Sequence, residues 1–258
     1  MELFYRTLGN NTKKRIVILH GLWGASENWL PIAKKIKNDY NIIIPDIRNH
    51  GRSPHASEMD YNIMAEDVAK LIRSLRNKVE KFDVIGHSMG GKIALKLKLL
   101  YPEIINRCII IDIAPTTYTL NDMHRSLSNF CCQSLDTITN RQELKELINT
   151  RFKDKNEIQF ILKNIAHINS KFLWKINGKS ILNNLDNIRS WEGDYPKEDI
   201  IYIKGEKSDY ISKELIKKLS LTNVFNVPNA GHIIHVDNPS ILIKYINSIL
   251  ANNNIVVD

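Results

Sequence analysis

A serine between two glycines, in Gly86-His-Ser-Met-Gly90, is the arrangement in this chain best suited to chemistry. It follows the short apolar stretch Phe82-Asp-Val-Ile85 and precedes Ile93, Ala94, Leu97 and Leu100 at helical spacing, so it joins a buried strand to a helix. A side chain at either glycine would collide with the neighbouring strand or the helix's first turn. In such a nucleophile elbow the hydroxyl stands above the carboxyl edge of a sheet, and strained backbone is expected at Ser88. A phosphate loop is excluded, because the Gly-x-x-x-x-Gly-Lys-Ser/Thr pattern is absent and Lys92 is followed by Ile93. An activated serine needs a base and donors for an oxyanion. The base is read at His232, on the Gly-led loop Pro228-Asn-Ala-Gly-His232 after the last strand. The donors are read at the backbone N–H groups of Leu22, in the turn His20-Gly-Leu-Trp-Gly24, and of Met89, directly after the serine. His20, His50, His87 and His235 adjoin turns, where an imidazole commonly just bonds backbone. His232-x-x-His235 lacks the helix and the third ligand of a zinc site, so no metal is assigned.

These groups share a rim only if parallel strands carry them there. Arg15-Ile-Val-Ile-Leu19, Asn41-Ile-Ile-Ile-Pro45, Arg107-Cys-Ile-Ile-Ile-Asp112 and Asp199-Ile-Ile-Tyr-Ile-Lys-Gly205 are continuous apolar runs of the kind buried on both faces of a parallel sheet. Tyr61, Met64, Ala65, Val68, Leu71, Ile72 and Leu75 fall on one helical face between two of them, which gives a βαβ rhythm. Asn238 and Pro239 start a last helix. The rhythm breaks between about Thr116 and Glu192, where Leu144, Leu147 and Ile148, then Ile158, Ile161, Leu162 and Ile165, mark amphipathic helices. We read residues 116–192 as an inserted helical cap on a core formed by 1–115 and 193–258, with Phe172-Leu-Trp-Lys-Ile176 as a small strand or a lip over the pocket.

The chain has 258 residues, 43% hydrophobic and 25% charged, which is ordinary globular composition and enough for a full core. No apolar run is long enough to span a bilayer, and the first residues lack the order of a secretion signal, so a cytoplasmic protein is expected. Three cysteines, Cys108, Cys131 and Cys132, make an odd set read as reduced thiols. The net charge of +8 comes from scattered lysines without aromatic interleaving, so nucleic acid is not a partner. Either an anionic substrate or a compositional bias accounts for it. The loop Asp46-Ile-Arg-Asn-His-Gly-Arg-Ser-Pro54 belongs on the Ser88 rim, and Arg48, His50 and Arg52 are read as substrate contacts; the same charges can instead fix the loop by pairing among themselves and with free carbonyls.

With these segments in view, the chain resembles the α/β-hydrolase superfamily, and within it the small bacterial YbfF-type esterases and their abhydrolase-11-type relatives. The resemblance covers nearly the whole chain and rests on His20-Gly-Leu-Trp-Gly24, the 46–54 loop, Gly86-His-Ser-Met-Gly-Gly-Lys92, Asp112-Ile-Ala-Pro115 and Gly231-His-Ile-Ile-His235. It implies an α/β-hydrolase fold, a mostly parallel central sheet with helices on both faces and an inserted helical cap. It also implies hydrolysis of carboxylic esters or thioesters through an acyl-enzyme, with Ser88 as nucleophile, His232 as base and no cofactor. Short-chain acyl esters, acyl-coenzyme A and phosphopantetheinyl carriers are the substrates it suggests. Two residues compete as the acid that orients His232. Relatives commonly place it after the strand ending at Gly205, which nominates Asp209, one residue beyond the usual Gly-x-x-Asp spacing. The YbfF-like pattern offers Asp112, which we prefer. The chain departs from that pattern at Ile233, where an aromatic residue commonly follows the histidine. The same elbow also serves carbon-carbon bond hydrolases and cofactor-free haloperoxidases, and the same fold serves non-catalytic ligand receptors, which usually lose a member of the triad. Oligomeric state is not encoded in any of these features.

Overall fold

The computed structural model describes residues 1–10, 14–36, 39–77, 80–119, 122–153 and 155–252; residues 120, 121 and 154 of the expected cap lie outside them. In chain order the first half runs β1 (Tyr5–Leu8), β2 (Arg15–Leu19), α1 (Leu30–Ile36), β3 (Asn41–Pro45), α2 (Tyr61–Leu75), β4 (Phe82–His87), α3 (Met89–Leu100) and β5 (Ile105–Ile111). Then come α4 (Asp122–Cys131), α5 (Arg141–Arg151), α6 (Lys155–Lys163), β6 (Ile165–Ile168), β7 (Lys171–Trp174), α7 (Gly178–Asn183) and α8 (Leu185–Arg189). The chain closes with β8 (Ile200–Gly205), α9 (Lys213–Lys218), β9 (Val224–Val227), α10 (Ile234–Asp237) and α11 (Pro239–Leu250).

The apolar runs pair into a seven-stranded sheet of order β1-β3-β2-β4-β5-β8-β9. Only the edge strand β1 is antiparallel to its neighbour, and the remaining pairs are parallel. Because successive side chains point to opposite faces, each run feeds two cores. Val17 and Leu19, Ile43, Val84, and Cys108 and Ile110 join α2 and α3 on one face. Ile16 and Ile18, Ile42 and Ile44, Ile85, and Ile109 and Ile111 join α1 and α11 on the other. The register pairs Leu19 with Gly86, His87 with Ile111, and Ile111 with Ile203, so the ends of β2, β4, β5 and β8 open on one edge. A Cβ at Gly86 would sit 2.2 Å from the Gly90 carbonyl oxygen, and one at Gly90 would sit 2.4 Å from that of Leu19. Both glycines are therefore required for α3 to turn back against β4 and β2.

Among the described residues, the regular structure of the insertion between β5 and β8 is helical apart from the antiparallel hairpin β6–β7. Ile165 was expected on the face of a helix and instead begins β6. Two features account for the change. Just past α6 the Asn164 side chain caps the Phe160 carbonyl, four residues back, and ties this end to the Trp23 carbonyl. Asn169 and Ser170 both take positive φ, 48° and 61°, as a two-residue hairpin turn demands. Of the two readings of Phe172–Ile176, small strand or lip, the strand holds for Phe172–Trp174, which lie in β7, the second strand of this hairpin. Cap residues Leu127, Phe130 and Ile148 are buried in the same apolar cluster as α2 and α3. Lys92 of α3 reaches from the core to the cap's exit, where its buried amine donates to the carbonyls of Arg189 at 2.8 Å and Ser190 at 3.1 Å. Burial pushes its pKa down to about 7.

Candidate active site

Ser88 links β4 to α3 at φ 52°, ψ −121°, a conformation that a residue with a side chain adopts only when its surroundings impose it. The elbow strain expected from the sequence is present. The His232 ring lies between two side chains. Its Nε2 is 3.0 Å from Ser88 Oγ and its Nδ1 is 2.8 Å from Asp112 Oδ2. Asp112 directly follows β5, at φ 50°, and is fully buried, yet its carboxylate is well solvated by protein. Oδ1 accepts from the Gly205 N–H at 2.9 Å, and Oδ2 also accepts from the Ser208 hydroxyl. Three donors on one buried carboxylate fix the plane in which it meets the imidazole. The Tyr210 ring stacks on His232 at 3.9 Å between centroids and 15° between planes. Asp209, the alternative acid, is exposed, so Asp112 is the carboxylate brought to His232.

The two N–H groups read from the sequence as oxyanion donors can be placed from backbone geometry. Gly24 N–H bonds the Gly21 carbonyl at 2.9 Å. A trans peptide sends its N–H opposite to its C=O, so the Leu22 N–H points away from that turn. A Cβ on Gly21 would meet Ser88 Cβ at 3.3 Å, which sets this peptide beside the serine. Met89 opens α3, where the first N–H groups have no partner within the helix and the helix dipole favours negative charge. Among the described residues, neither N–H has an acceptor.

Ser88, His232, Gly21, Leu22 and Tyr210 line a cavity of about 550 Å3. Its walls mix core residues Trp23, Trp29 and His87 with cap residues His124, Leu127 and Phe160, and Ile233 and Val236 flank the histidine. Ile233 is 40% exposed, in keeping with a rim position. The charged lining is Glu157, Lys163 and Asp237. His87 donates from Nε2 to the His232 carbonyl at 2.8 Å and so braces the loop that carries His232. Burial first, then the neighbouring His232 and His235 rings, hold His87 well below the ordinary histidine pKa. His235 stacks on Trp29 at 4.8 Å, and burial lowers its pKa to about 4. Among the described residues no cluster of three or more His, Cys, Asp or Glu side chains is disposed to hold a metal ion.

The three residues read as substrate contacts do not line this cavity. Arg48 is buried, its Nε bonded to Asp67 at 2.7 Å and its NH1 to the Glu58 carbonyl at 2.8 Å. His50 accepts the Trp23 N–H at Nε2, 2.9 Å, and donates from Nδ1 to the Arg48 carbonyl, 2.9 Å. Arg52 is exposed, its guanidinium 4.1 Å from the Phe4 ring centroid. All three are thus engaged away from the cavity, mostly with partners outside the loop: Arg48 with Asp67 of α2 and the Glu58 carbonyl, His50 with the Trp23 N–H and the Arg48 carbonyl, and Arg52 with the Phe4 ring. His87 bonds backbone, as the sequence reading has it, while Ser208 and Tyr210 are contacts of the Asp112–His232 pair that the sequence reading does not name. Ser208 carried a signal, since it stands at the Gly205-x-x position where relatives are expected to place an acid.

A family described as alpha/beta hydrolase fold matches residues 14–239. The chain belongs to this family. Within it, the chain is 29% identical to the Escherichia coli protein named Esterase YbfF over 239 residues, 90% of this chain and 91% of that one. It is 30% identical to the Danio rerio sn-1-specific diacylglycerol lipase ABHD11 over 264 residues, 94% of this chain and 79% of that one. Among solved structures, one titled Marine microorganism esterase superposes with a TM-score of 0.88 at 33% identity, covering 96% of this chain and 98% of that chain. The α/β-hydrolase fold expected from the sequence motifs is thus the fold of the family, and the sheet order, elbow and cap described above are its form in this chain.

Proposed function

We propose that this chain is a serine-dependent hydrolase of uncharged carboxylic esters. The observation that carries the reading is the continuous relay from Ser88 Oγ through the His232 ring to buried Asp112, at 3.0 and 2.8 Å, opening on a cavity. Esterase and lipase names among relatives at about 30% identity over most of the chain agree with it.

In this reading His232 Nε2 takes the Ser88 proton as Oγ attacks the acyl carbonyl carbon. The carbonyl oxygen becomes an oxyanion held by the Leu22 and Met89 N–H groups. Asp112 keeps the proton on Nδ1 and favours the imidazolium. The C–O bond to the alcohol then breaks, His232 gives its proton to the leaving oxygen, and Ser88 is acylated. Water, deprotonated by His232, attacks the acyl-enzyme, and the acid leaves as Ser88 recovers its proton. Apart from the ester and water, every group these steps use belongs to the chain.

The cavity volume falls within the ~300–1,000 Å3 usual for small ligands and suits an acyl group of modest length. Its charged lining, one lysine against two carboxylates, makes no cationic cradle, and Arg48 and Arg52 are engaged elsewhere. A neutral acyl ester is favoured over a coenzyme A thioester or a carrier-bound acyl chain for that reason. The test is Ser88→Ala together with phosphonate labelling. We expect a folded variant with kcat lowered by about 10⁶, and a single wild-type adduct on the peptide that contains Ser88. Wild-type turnover by the variant, or an adduct mapping elsewhere, overturns the assignment.

A further inference from the structure

Trp23 connects two parts of the molecule that the catalytic scheme treats separately. It follows Leu22, one of the two N–H donors, and takes φ 57°, which a tryptophan adopts only when its surroundings over-determine it. Four contacts do so, and they come from opposite sides. Its N–H is accepted by His50 Nε2 at 2.9 Å, from the core loop after β3. Its carbonyl accepts from Asn164 Nδ2 at 2.9 Å, from the cap. Its ring stacks on cap His124, 5.2 Å and 25°, and meets cap Phe160 edge-on at 6.2 Å.

Both polar partners are sunk and committed. Because His50 must accept the Trp23 N–H at Nε2, its proton lies on Nδ1 and is given to the Arg48 carbonyl at 2.9 Å. Asn164 joins the end of α6 to the hairpin, donating also to the Phe160 carbonyl at 3.0 Å, while its own carbonyl accepts the Lys175 N–H at 2.8 Å. With the N–H and C=O of Trp23 both fixed, the peptides on either side of it cannot rotate independently. The Gly24 N–H, in the second of these peptides, bonds the Gly21 carbonyl at 2.9 Å, and that carbonyl shares a peptide with the Leu22 N–H, so holding Trp23 also holds the orientation of the Leu22 N–H.

We infer that Asn164 of the cap and His50 of the core loop are positioning residues for the oxyanion hole, acting through Trp23, so that the cap tunes transition-state binding in addition to walling the cavity. The inference rests on the proposed serine mechanism. It makes the cap part of the catalytic geometry: a loosened Asn164 contact misaims one donor without touching Ser88, His232 or Asp112.

The experiment compares Asn164→Ala, Asn164→Asp, His50→Ala, His50→Gln and Ser88→Ala with wild type in p-nitrophenyl butyrate turnover. Active sites are titrated to completion with a fluorophosphonate, and the Kd of an alkyl boronic acid reports binding of a tetrahedral adduct. Loss or misplacement of one oxyanion donor lowers kcat by roughly 10²–10³, so partial misaiming should lower kcat per titrated site by about 10–100-fold, with KM within about threefold. The boronate Kd should rise by the same factor, and His50→Gln, whose amide oxygen can still accept the Trp23 N–H, should restore most of what His50→Ala loses. A lowered Tm with kcat per titrated site and boronate affinity unchanged overturns the inference, because that is what a purely structural contact gives. If the Asn164 variants do not fold, the His50 pair decides by the same criteria. Inactive Ser88→Ala beside fully active Asn164 and His50 variants sinks this inference alone, whereas active Ser88→Ala sinks the underlying mechanism with it.

Discussion

Two loops on the same edge of the sheet look alike in sequence: residues 46–54 after β3 and residues 228–237 after β9. Each is rich in turn residues, each carries histidine and aspartate, and each is placed where a substrate could arrive. Their hydrogen bonds separate them. In the first loop the polar side chains serve backbone: Asp46 accepts from the Ser26 and Arg52 N–H groups at 2.6 and 2.8 Å, and His50 has one ring nitrogen on the Trp23 N–H and the other on the Arg48 carbonyl. In the second loop the His232 ring nitrogens meet a hydroxyl and a carboxylate. An imidazole held between two peptide groups has its proton assigned and nowhere to send it. An imidazole between an alcohol and a carboxylate can take a proton and return it, so the kind of partner, more than the kind of residue, distinguishes a brace from a base.

The sharpest way to break this comparison is to change the partner of His232. Asp112→Asn leaves the shape of the site but favours the wrong imidazole tautomer, and a change of that type costs about 10⁴ in kcat in a serine protease. We expect a loss of that order for Asp112→Asn and a change under about twofold for Asp209→Asn, because Asp209 is exposed while Asp112 touches the ring. Steady-state kinetics on one neutral ester decides it, and the reverse ranking would restore Asp209 as the acid.

The contrast also explains what the sequence could and could not convey. Strands β2, β3 and β5 are legible because a run such as Ile42-Ile-Ile44 has no other stable place than between two helical layers. Ser88 and His232 are legible because a tight turn restricts the residues around them. Asp112 emerged from its position at a strand end and from family likeness. The 46–54 loop misled because its partners are distant in sequence: His50 meets Trp23, 27 residues earlier, and Arg48 meets Asp67, 19 residues later. Local composition carries no record of such pairings. Ile165 misled for a different reason. Its apolar spacing continues the α6 pattern, and only the Asn169-Ser170 turn, four residues on, reverses the chain.

A smaller effect concerns acid stability. Burial lowers the pKa of His50 to about 3 and of His235 to about 4 from 6.5, and also lowers those of His20 and His87. These rings are held neutral when folded but bind protons when unfolded. Stability from this source is therefore complete above about pH 6.5 and is lost as pH falls toward 4 and then 3. Each such histidine lowers the folding constant by up to about tenfold per pH unit within that window. Denaturant midpoints measured from pH 7 to pH 4.5 should fall steadily, and His50→Gln should flatten the slope by one histidine's share. A flat profile in the wild type would show that the braces are not held neutral.

The smallest expected effect tests the first loop directly. If its charges serve the fold, Arg48→Ala and Arg52→Ala leave the choice of substrate alone. Arg52 is exposed and rests on Phe4, outside the cavity, so its removal should change kcat/KM by less than about twofold. Arg48→Ala removes the guanidinium beside buried Asp67, which lowers stability, so its rates must be expressed per folded molecule. The measurement pairs a neutral p-nitrophenyl ester with an acyl-coenzyme A of equal chain length, in wild type and both variants, at ionic strengths from about 0.1 to 1 M, where the Debye length shortens from about 10 to 3 Å. With no cationic cradle at the cavity, the ratio of the two kcat/KM values should hold within about twofold across variants and salt. A ratio that favours the coenzyme ester at low salt and collapses in either arginine variant would mean that this loop steers an anionic substrate after all, and would return the net charge of +8 to a functional role.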